Sequence, residues 1–337
     1  MGEVALFPTL NPNEGSRLRG RLLRWFRIYK RDLPWRATRD PYAIWVSEIM
    51  LQQTRVAAVQ EHYLRFMARF PNVKALAGAT LTDVLAMWSG LGYYRRARLM
   101  HQAASLVVNE HGGVLPTSAD ALRQLPGIGR YTAAAIASIA FDEPVALVDG
   151  NVERVLTRLF GADVRGERAW TLAEALLSRK HPGDFNQAMM ELGATVCMPK
   201  SPTCLVCPIR NFCATRGEHA TPPQPLRIKK QVDFAFIQRR GRIGLVQRGH
   251  GESLMAGMWE LPPAHPNGEP PLLTLKHSIT TTDYTVRVYR DVAHAGKSAQ
   301  SGESRATRLR WFEPDEAVQL PLTGLARKIL RRTGVIQ

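Results

Sequence analysis

Residues 221–225, Thr-Pro-Pro-Gln-Pro, cannot be helical, because proline offers no amide hydrogen and its ring clashes with the preceding turn. They divide the chain into two stretches of different periodicity. Before them, from about 15 to 216, apolar residues recur at helical spacing. Leu18, Leu22, Leu23, Phe26 and Ile28 mark a first amphipathic helix with Ser16 as its expected cap. Further helices are predicted over 41–69, 81–88, 95–110, 118–124, 130–140, 150–160, 168–180 and 184–196. After the prolines, 232–238, 243–247, 285–289 and 309–312 read as strands and 320–332 as a closing helix. The expected fold class is mostly α: an all-α body over 15–220, a linker at 221–230 and an α+β domain over 231–337. A chain of 337 residues can give each part its own core.

The four cysteines, Cys197, Cys204, Cys207 and Cys213, fall in one loop with the spacing C-x6-C-x2-C-x5-C, and Pro199, Pro202 and Pro208 keep regular structure out of it. Such a set suits one metal centre. Four buried free thiols are one alternative and two disulfides in a secreted chain another, but the N-terminus has no basic segment followed by an apolar run. Zinc accepts four thiolates, usually as two close pairs far apart in sequence, and all-thiolate ligation also suits a 4Fe-4S cluster. The C-x2-C-x2-C run of small ferredoxins is absent, so electron transfer of that kind is not implied. Lys and Arg number 45 against 29 Asp and Glu, a net charge of +16 that favours a polyanionic partner. Basic ribosome-associated and membrane-surface proteins share this property. No stretch approaches the ~18 apolar residues of a membrane span, and the chain reads as soluble and cytoplasmic.

Leu125-Pro126-Gly127-Ile128-Gly129-Arg130 leads straight into an alanine-rich helix former. The two glycines allow positive φ and close backbone approach, and a helix start leaves free amides, a combination that binds a phosphate. With the helix expected before it, the turn makes a helix-hairpin-helix. An apolar run then delivers Asp149 to the start of the next helix, where amides and dipole would keep it charged; a plain helix cap is the other reading. Glu48 is flanked by so many apolar residues that partial burial should raise its pKa, unless it lies on a helix surface. One protonated and one charged acid is the logic of glycosidic bond cleavage.

The cysteine spacing, this hairpin and the Asp149-Gly150-Asn151 turn resemble the helix-hairpin-helix DNA glycosylases of the endonuclease III superfamily. Leu33-Pro34-Trp35-Arg36, WVSEIMLQQT at 45–54, GLGYYR at 90–95 and FNQAMMELG at 185–193 look like its adenine DNA glycosylase (MutY) family. The resemblance implies a two-lobed body, a 4Fe-4S cluster in the loop 197–213, and an enzyme that flips adenine out of duplex DNA opposite 8-oxoguanine or guanine; nothing in the sequence demands more than a monomer. By the same resemblance Glu48 protonates adenine, Asp149 stabilises the oxocarbenium-like sugar and Asn151 helps place the reacting centre. Tyr131 stands where bifunctional relatives carry a Schiff-base lysine, which implies a monofunctional enzyme. Gln53 and Tyr93 correspond to residues that wedge into the base stack, Trp35, Arg36, Leu51 and Glu191 to the adenine pocket, and Gly127 and Gly129 to the DNA grip.

Residues 232–337 resemble a MutT-like, Nudix-fold domain, most clearly in LMAGMWELP at 254–262. The acidic Nudix box is absent, so recognition rather than pyrophosphate hydrolysis is expected. The family's Phe-Ser-His reading loop is replaced by Ile279, Thr280 and Thr281, with Thr280, and Ser278 beside it, expected to hydrogen-bond the damaged base. Two rivals remain. A bifunctional, endonuclease III-like enzyme on oxidised pyrimidines would need an amine at Tyr131, and a non-enzymatic, cluster-bearing DNA-binding protein would have no use for paired Glu48 and Asp149.

Overall fold

A computed structural model describes residues 11–217, 226–249, 252, 255–266, 268–279, 282–290 and 309–336. Residues 221–225 of the expected linker lie outside that set. Two compact units emerge: the first holds described residues up to Ala77 and those between Gln102 and Pro222, the second those between Gly78 and His101 and those beyond Pro223. Described residues 11–195 fold as α1 (Pro12–Tyr29), α2 (Pro41–Leu51), α3 (Val56–Arg69), α4 (Val73–Ala77), α5 (Leu81–Trp88), α6 (Arg95–Glu110), α7 (Ala119–Leu122), α8 (Arg130–Phe141), α9 (Gly150–Phe160), α10 (Glu167–Leu176) and α11 (Pro182–Thr195).

Several boundaries differ from expectation, each for a local reason. α1 starts at Pro12, not near Ser16, because Asn11 and Glu14 form a reciprocal capping box. The helix expected over 41–69 is two helices, since Gln53 takes φ +56° in the turn after Leu51. The run at 118–124 shrinks to α7, capped by the Ser118 hydroxyl, and α10 ends at Leu176.

In the first unit, the inner face of α1 (Leu18, Leu22, Phe26) packs into a core with Val155 and Leu159 of α9 and Phe185 and Leu192 of α11. Two glycines let α11 approach its neighbours. A Cβ on Gly183 would sit 2.5 Å from the Ser138 carbonyl oxygen, and one on Gly193 would sit 2.6 Å from Asn151 Cβ. Buried Asn186, on the same helix, donates to Ser138 Oγ and to the Val145 carbonyl, both at 2.9 Å, and so fastens the strand-like segment that leads to Asp149.

The second unit contains β1 (Ile228–Phe236), β2 (Gln238–Arg239), β3 (Arg242–Gln247), β4 (Trp259–Glu260), β5 (Leu273–Ile279), β6 (Thr282–Arg290), β7 (Arg310–Phe312), α12 (Pro314–Gln319) and α13 (Gly324–Arg332). One sheet has the order β1-β6-β5, with β1 parallel and β5 antiparallel to β6. In the other, β3 pairs with β2, β4 and β7. Leu245, Val286, Phe312 and Ile329 meet in the core, where the Trp259 and Phe312 rings pack edge-on with centroids 4.9 Å apart. The closing helix begins four residues late, at the Thr323 cap, and α12 precedes it. The 78–101 stretch, helical as expected, packs in this unit: Ser89 Oγ and Tyr94 Oη both donate to the Leu322 carbonyl, at 3.1 and 3.0 Å. No described helix is long and apolar enough to cross a membrane.

Candidate active site

A cleft of about 790 Å³ lies in the first unit where α2, the hairpin before α8, the start of α9 and the end of α11 meet. Trp35, Arg36, Glu48, Leu51 and Gln53 line it from the N-terminal side. Gly127, Gly129, Tyr131, Asp149, Asn151 and Glu191 line it from the C-terminal side.

α2 is apolar on nearly every face, so Glu48 is carried into the interior and is 5 % exposed. The Tyr131 hydroxyl, one residue into α8, donates to Glu48 Oε2 at 2.8 Å and lies 3.2 Å from Met190 Sδ. A carboxylate is the stronger acceptor, so the single phenol proton goes to Glu48. Burial raises the Glu48 pKa from 4.5 to about 7; the Tyr131 hydrogen bond opposes that rise, Asp149 adds to it and Arg36 opposes it. The same burial, with Glu48 and Asp149 nearby, holds Tyr131 well above the usual phenol range, so it stays neutral.

Asp149 is the N-cap of α9: its Oδ1 accepts from the Val152 amide at 2.7 Å and its Oδ2 from Asn151 Nδ2 at 2.9 Å. Asn151 is itself aimed. Arg154 Nη2 donates to Asn151 Oδ1 at 2.8 Å and to the Gly193 carbonyl at 2.7 Å, and its Nε reaches the Cys197 carbonyl at 2.9 Å. Sequence reasoning did not single out Arg154; its place one turn after the Asp-Gly-Asn cap was the only signal.

Glu191 is fully buried and accepts four hydrogen bonds, three from Arg31 (amide 3.0, Nε 2.8, Nη2 2.7 Å) and one from Arg36 Nη2 at 2.8 Å. Burial alone would raise its pKa, but these donors outweigh burial and bring it to about 2. Glu191 is therefore a fixed anion on the cleft wall. Arg31 was missed because one arginine at the end of a basic helix carries no motif.

The hairpin departs from expectation in one respect. Gly127 has φ +79°, whereas Gly129 has φ −85° and caps α8 in an extended conformation open to any residue. What Gly129 supplies is room, since a Cβ there would meet nothing within 4 Å. Both expected wedge residues, Gln53 and Tyr93, hold left-handed backbone, at φ +56° and +47°, and both are exposed. Left-handed backbone costs an L residue roughly 1–2 kcal/mol, so each is held there by its surroundings. Tyr93 lies in the second unit, with the Arg96 guanidinium 5.5 Å from its ring centre.

Cys197, Cys204, Cys207 and Cys213 are free, half-buried thiols that line one small cavity together with Arg158. Arg158 Nη1 donates to Cys197 Sγ at 3.4 Å and to the Met198 carbonyl at 2.7 Å, and the Arg216 amide donates to Cys213 Sγ at 3.5 Å. Burial pushes the Cys207 thiol up to about 11, and the three neighbouring cysteines add to the rise. Among the described residues, no three His, Cys, Asp or Glu side chains are arranged to hold a single ion. In the second unit Met258 and Trp259 of the 254–262 motif are buried, while Leu254, Thr280 and Thr281 lie outside the described residues. The Ser278 hydroxyl donates to Asp283 Oδ1 at 2.6 Å.

Residues 46–178 match the HhH-GPD superfamily base excision DNA repair protein family. A solved thermostable thymine-DNA glycosylase superposes with TM-score 0.57 at 30 % identity, covering 60 % of this chain and 97 % of that one. The adenine DNA glycosylase of Buchnera aphidicola subsp. Baizongia pistaciae (strain Bp) is 38 % identical over 244 residues, 66 % of this chain and 70 % of that protein. That of Mus musculus is 51 % identical over 210 residues, 58 % of this chain and 41 % of the mouse protein. The chain is a member of the helix-hairpin-helix superfamily of base excision DNA repair proteins and, within it, belongs to the adenine DNA glycosylase family. It spans less than half the length of the mouse relative.

Proposed function

We propose that the chain removes adenine from duplex DNA opposite 8-oxoguanine or guanine, as a monofunctional glycosylase in base excision repair. One observation carries this reading: a buried acid with a pKa near 7 and a carboxylate capping a helix line the same cleft. Near neutral pH a large share of Glu48 holds a proton and can hand it to the ring of an extruded adenine, which improves the leaving base. Asp149, oriented by Val152 and Asn151, faces the positive charge that develops on the sugar as the glycosidic bond breaks. Tyr131 keeps Glu48 in place and, being a phenol, cannot form the Schiff base through which a lyase cuts the strand. The Gly127 turn and the first amides of α8 would hold the backbone of the attacked strand, and Gln53 and Tyr93 would fill the space left in the stack. Trp35, Arg36 and Leu51 would wall the flipped base, with Glu191, whose acceptor sites Arg31 and Arg36 already fill, holding Arg36 in that wall.

We infer a 4Fe-4S cluster for the cysteine loop. Four unpaired thiols around one cavity, two of them accepting hydrogen bonds, support it, and a four-iron cluster separates its ligating sulfurs further than one ion does. Bound there, the cluster would fasten the loop so that Lys200 and Arg210 meet phosphates. The second unit is read as a Nudix-like module that inspects the base opposite adenine, with Thr280 and Ser278 as its hydrogen-bonding residues.

The test is base excision on duplexes carrying adenine opposite 8-oxoguanine, adenine opposite guanine, or an oxidised pyrimidine, each with and without alkali. Alkali-dependent cleavage at adenine, strongest opposite 8-oxoguanine, is expected. Alkali-independent cleavage at the pyrimidine would transfer the chain to the bifunctional branch.

A further inference from the structure

We propose that the outer face of α1 is a second, sequence-independent contact for the sugar-phosphate backbone of duplex DNA, outside the catalytic cleft; this rests on the reading that the chain works on duplex DNA. The inner face of α1 is spent on the core through Leu18, Leu22, Leu23 and Phe26. Arg17, Arg21 and Arg24 point the other way, all exposed, at spacings i, i+4 and i+7. At 1.5 Å rise per residue they form one stripe about 10 Å long, the axial length of about three base-pair steps.

Solvated helix faces ordinarily interleave charges of both signs. This face carries no acid: Glu14, the acidic residue of the helix, is tied into the capping box. Among the described residues none of the three arginines has an ion-pair partner. Like charges at these spacings repel. The helix is thus kept against its own electrostatics, an arrangement that a polyanion would reverse. Guanidinium groups suit that partner because their planar fork matches phosphate oxygens. The stripe also continues beyond the helix: the Arg21 guanidinium lies 5.8 Å from the ring centre of Phe212 in the cysteine loop, where Arg210 and Arg216 are exposed.

A contact of this kind lengthens residence on undamaged DNA and leaves the bond-breaking step alone. The experiment measures binding of the full, cluster-loaded chain to an undamaged duplex over a range of salt concentrations. Replacing all three arginines, Arg17→Gln, Arg21→Gln and Arg24→Gln, is expected to lower the slope of log affinity against log salt by roughly 2–3, since each phosphate contact contributes about 0.9. Gly20→Arg should raise the slope by about 1. Gly20 shares this face, and a Cβ there meets nothing within 4 Å, so that variant adds a charge without disturbing packing. Single-turnover adenine excision by saturating enzyme should match wild type in both variants. Unchanged slopes in both, beside intact wild-type excision, would overturn the stripe and leave the glycosylase reading standing. Loss of binding to phosphatidylserine vesicles with an unchanged DNA slope would also overturn it, in favour of a membrane surface. Absence of adenine excision by the wild type would remove the reading itself, and the stripe's role with it.

Discussion

Glu48→Gln should make the protein more stable at alkaline pH while abolishing adenine excision. The buried carboxyl has its pKa raised from 4.5 to about 7, so below pH 4.5 both folded and unfolded chains hold the proton and ionisation costs the fold nothing. Between 4.5 and 7 the folded state alone retains it. Stability therefore falls as pH rises through that window, and above about 7 the loss is complete at roughly 3 kcal/mol. Glutamine has nearly the same shape, can still accept from Tyr131 and cannot ionise, so the variant escapes this loss. The advantage should be roughly 3 kcal/mol at pH 8, which at 2–4 °C per kcal/mol for a unit of this size is about 6–12 °C in Tm, shrinking to a few tenths of a kcal/mol by pH 4. Thermal unfolding of both proteins, followed by circular dichroism at pH 4, 6 and 8, measures the difference. A variant no more stable than wild type at pH 8, or a gap that does not close on acidification, would show that Glu48 is not held protonated by burial.

Two other substitutions probe the same machinery. Tyr131→Phe removes the hydrogen bond that opposes the rise in the Glu48 pKa, so the alkaline limb of the single-turnover pH profile should move upward by about one pH unit or more; an unmoved limb would uncouple the two residues. Gly193→Ala drives a methyl to 2.6 Å from Asn151 Cβ, which should cost about 1–3 kcal/mol by overpacking and, by displacing Asn151 and hence Asp149, slow excision by up to ~100-fold with DNA binding retained. Wild-type melting and rate in that variant would mean α11 can give way without disturbing the acid.

The parts of the site that were legible in the sequence are those set by local chemistry. Glu48 could be read as buried because the residues beside it leave its helix no polar face, and Asp149 as a cap because an apolar run ends on it. The Asn11-Pro12-x-Glu14 capping box is equally local, but the apolar repeat begins later and points to Ser16 instead. The rest depends on distance along the chain. The arginines that fix Glu191 lie 160 and 155 residues away, and no spacing rule links them to it. The split after Leu51 falls in the polar run Gln52-Gln53-Thr54-Arg55, which a helix surface can also carry, and no glycine or proline there marks the stop that Gln53 makes in left-handed backbone.

The shared carbonyl of Leu322 bears on how this chain could be taken apart. Its two donors, Ser89 and Tyr94, come from the N-terminal third of the sequence, and Arg327 reaches back to Ser89 Oγ at 2.9 Å. A protease that nicked the chain at 221–225 would therefore not liberate a complete second unit. The C-terminal fragment would lack a helix and a half of its own packing, while the N-terminal fragment carried that piece exposed. The two fragments should instead remain associated and co-purify, as complementing halves of one unit do, and expression of residues 226–337 alone should give a protein that is stable only when residues 78–101 are supplied.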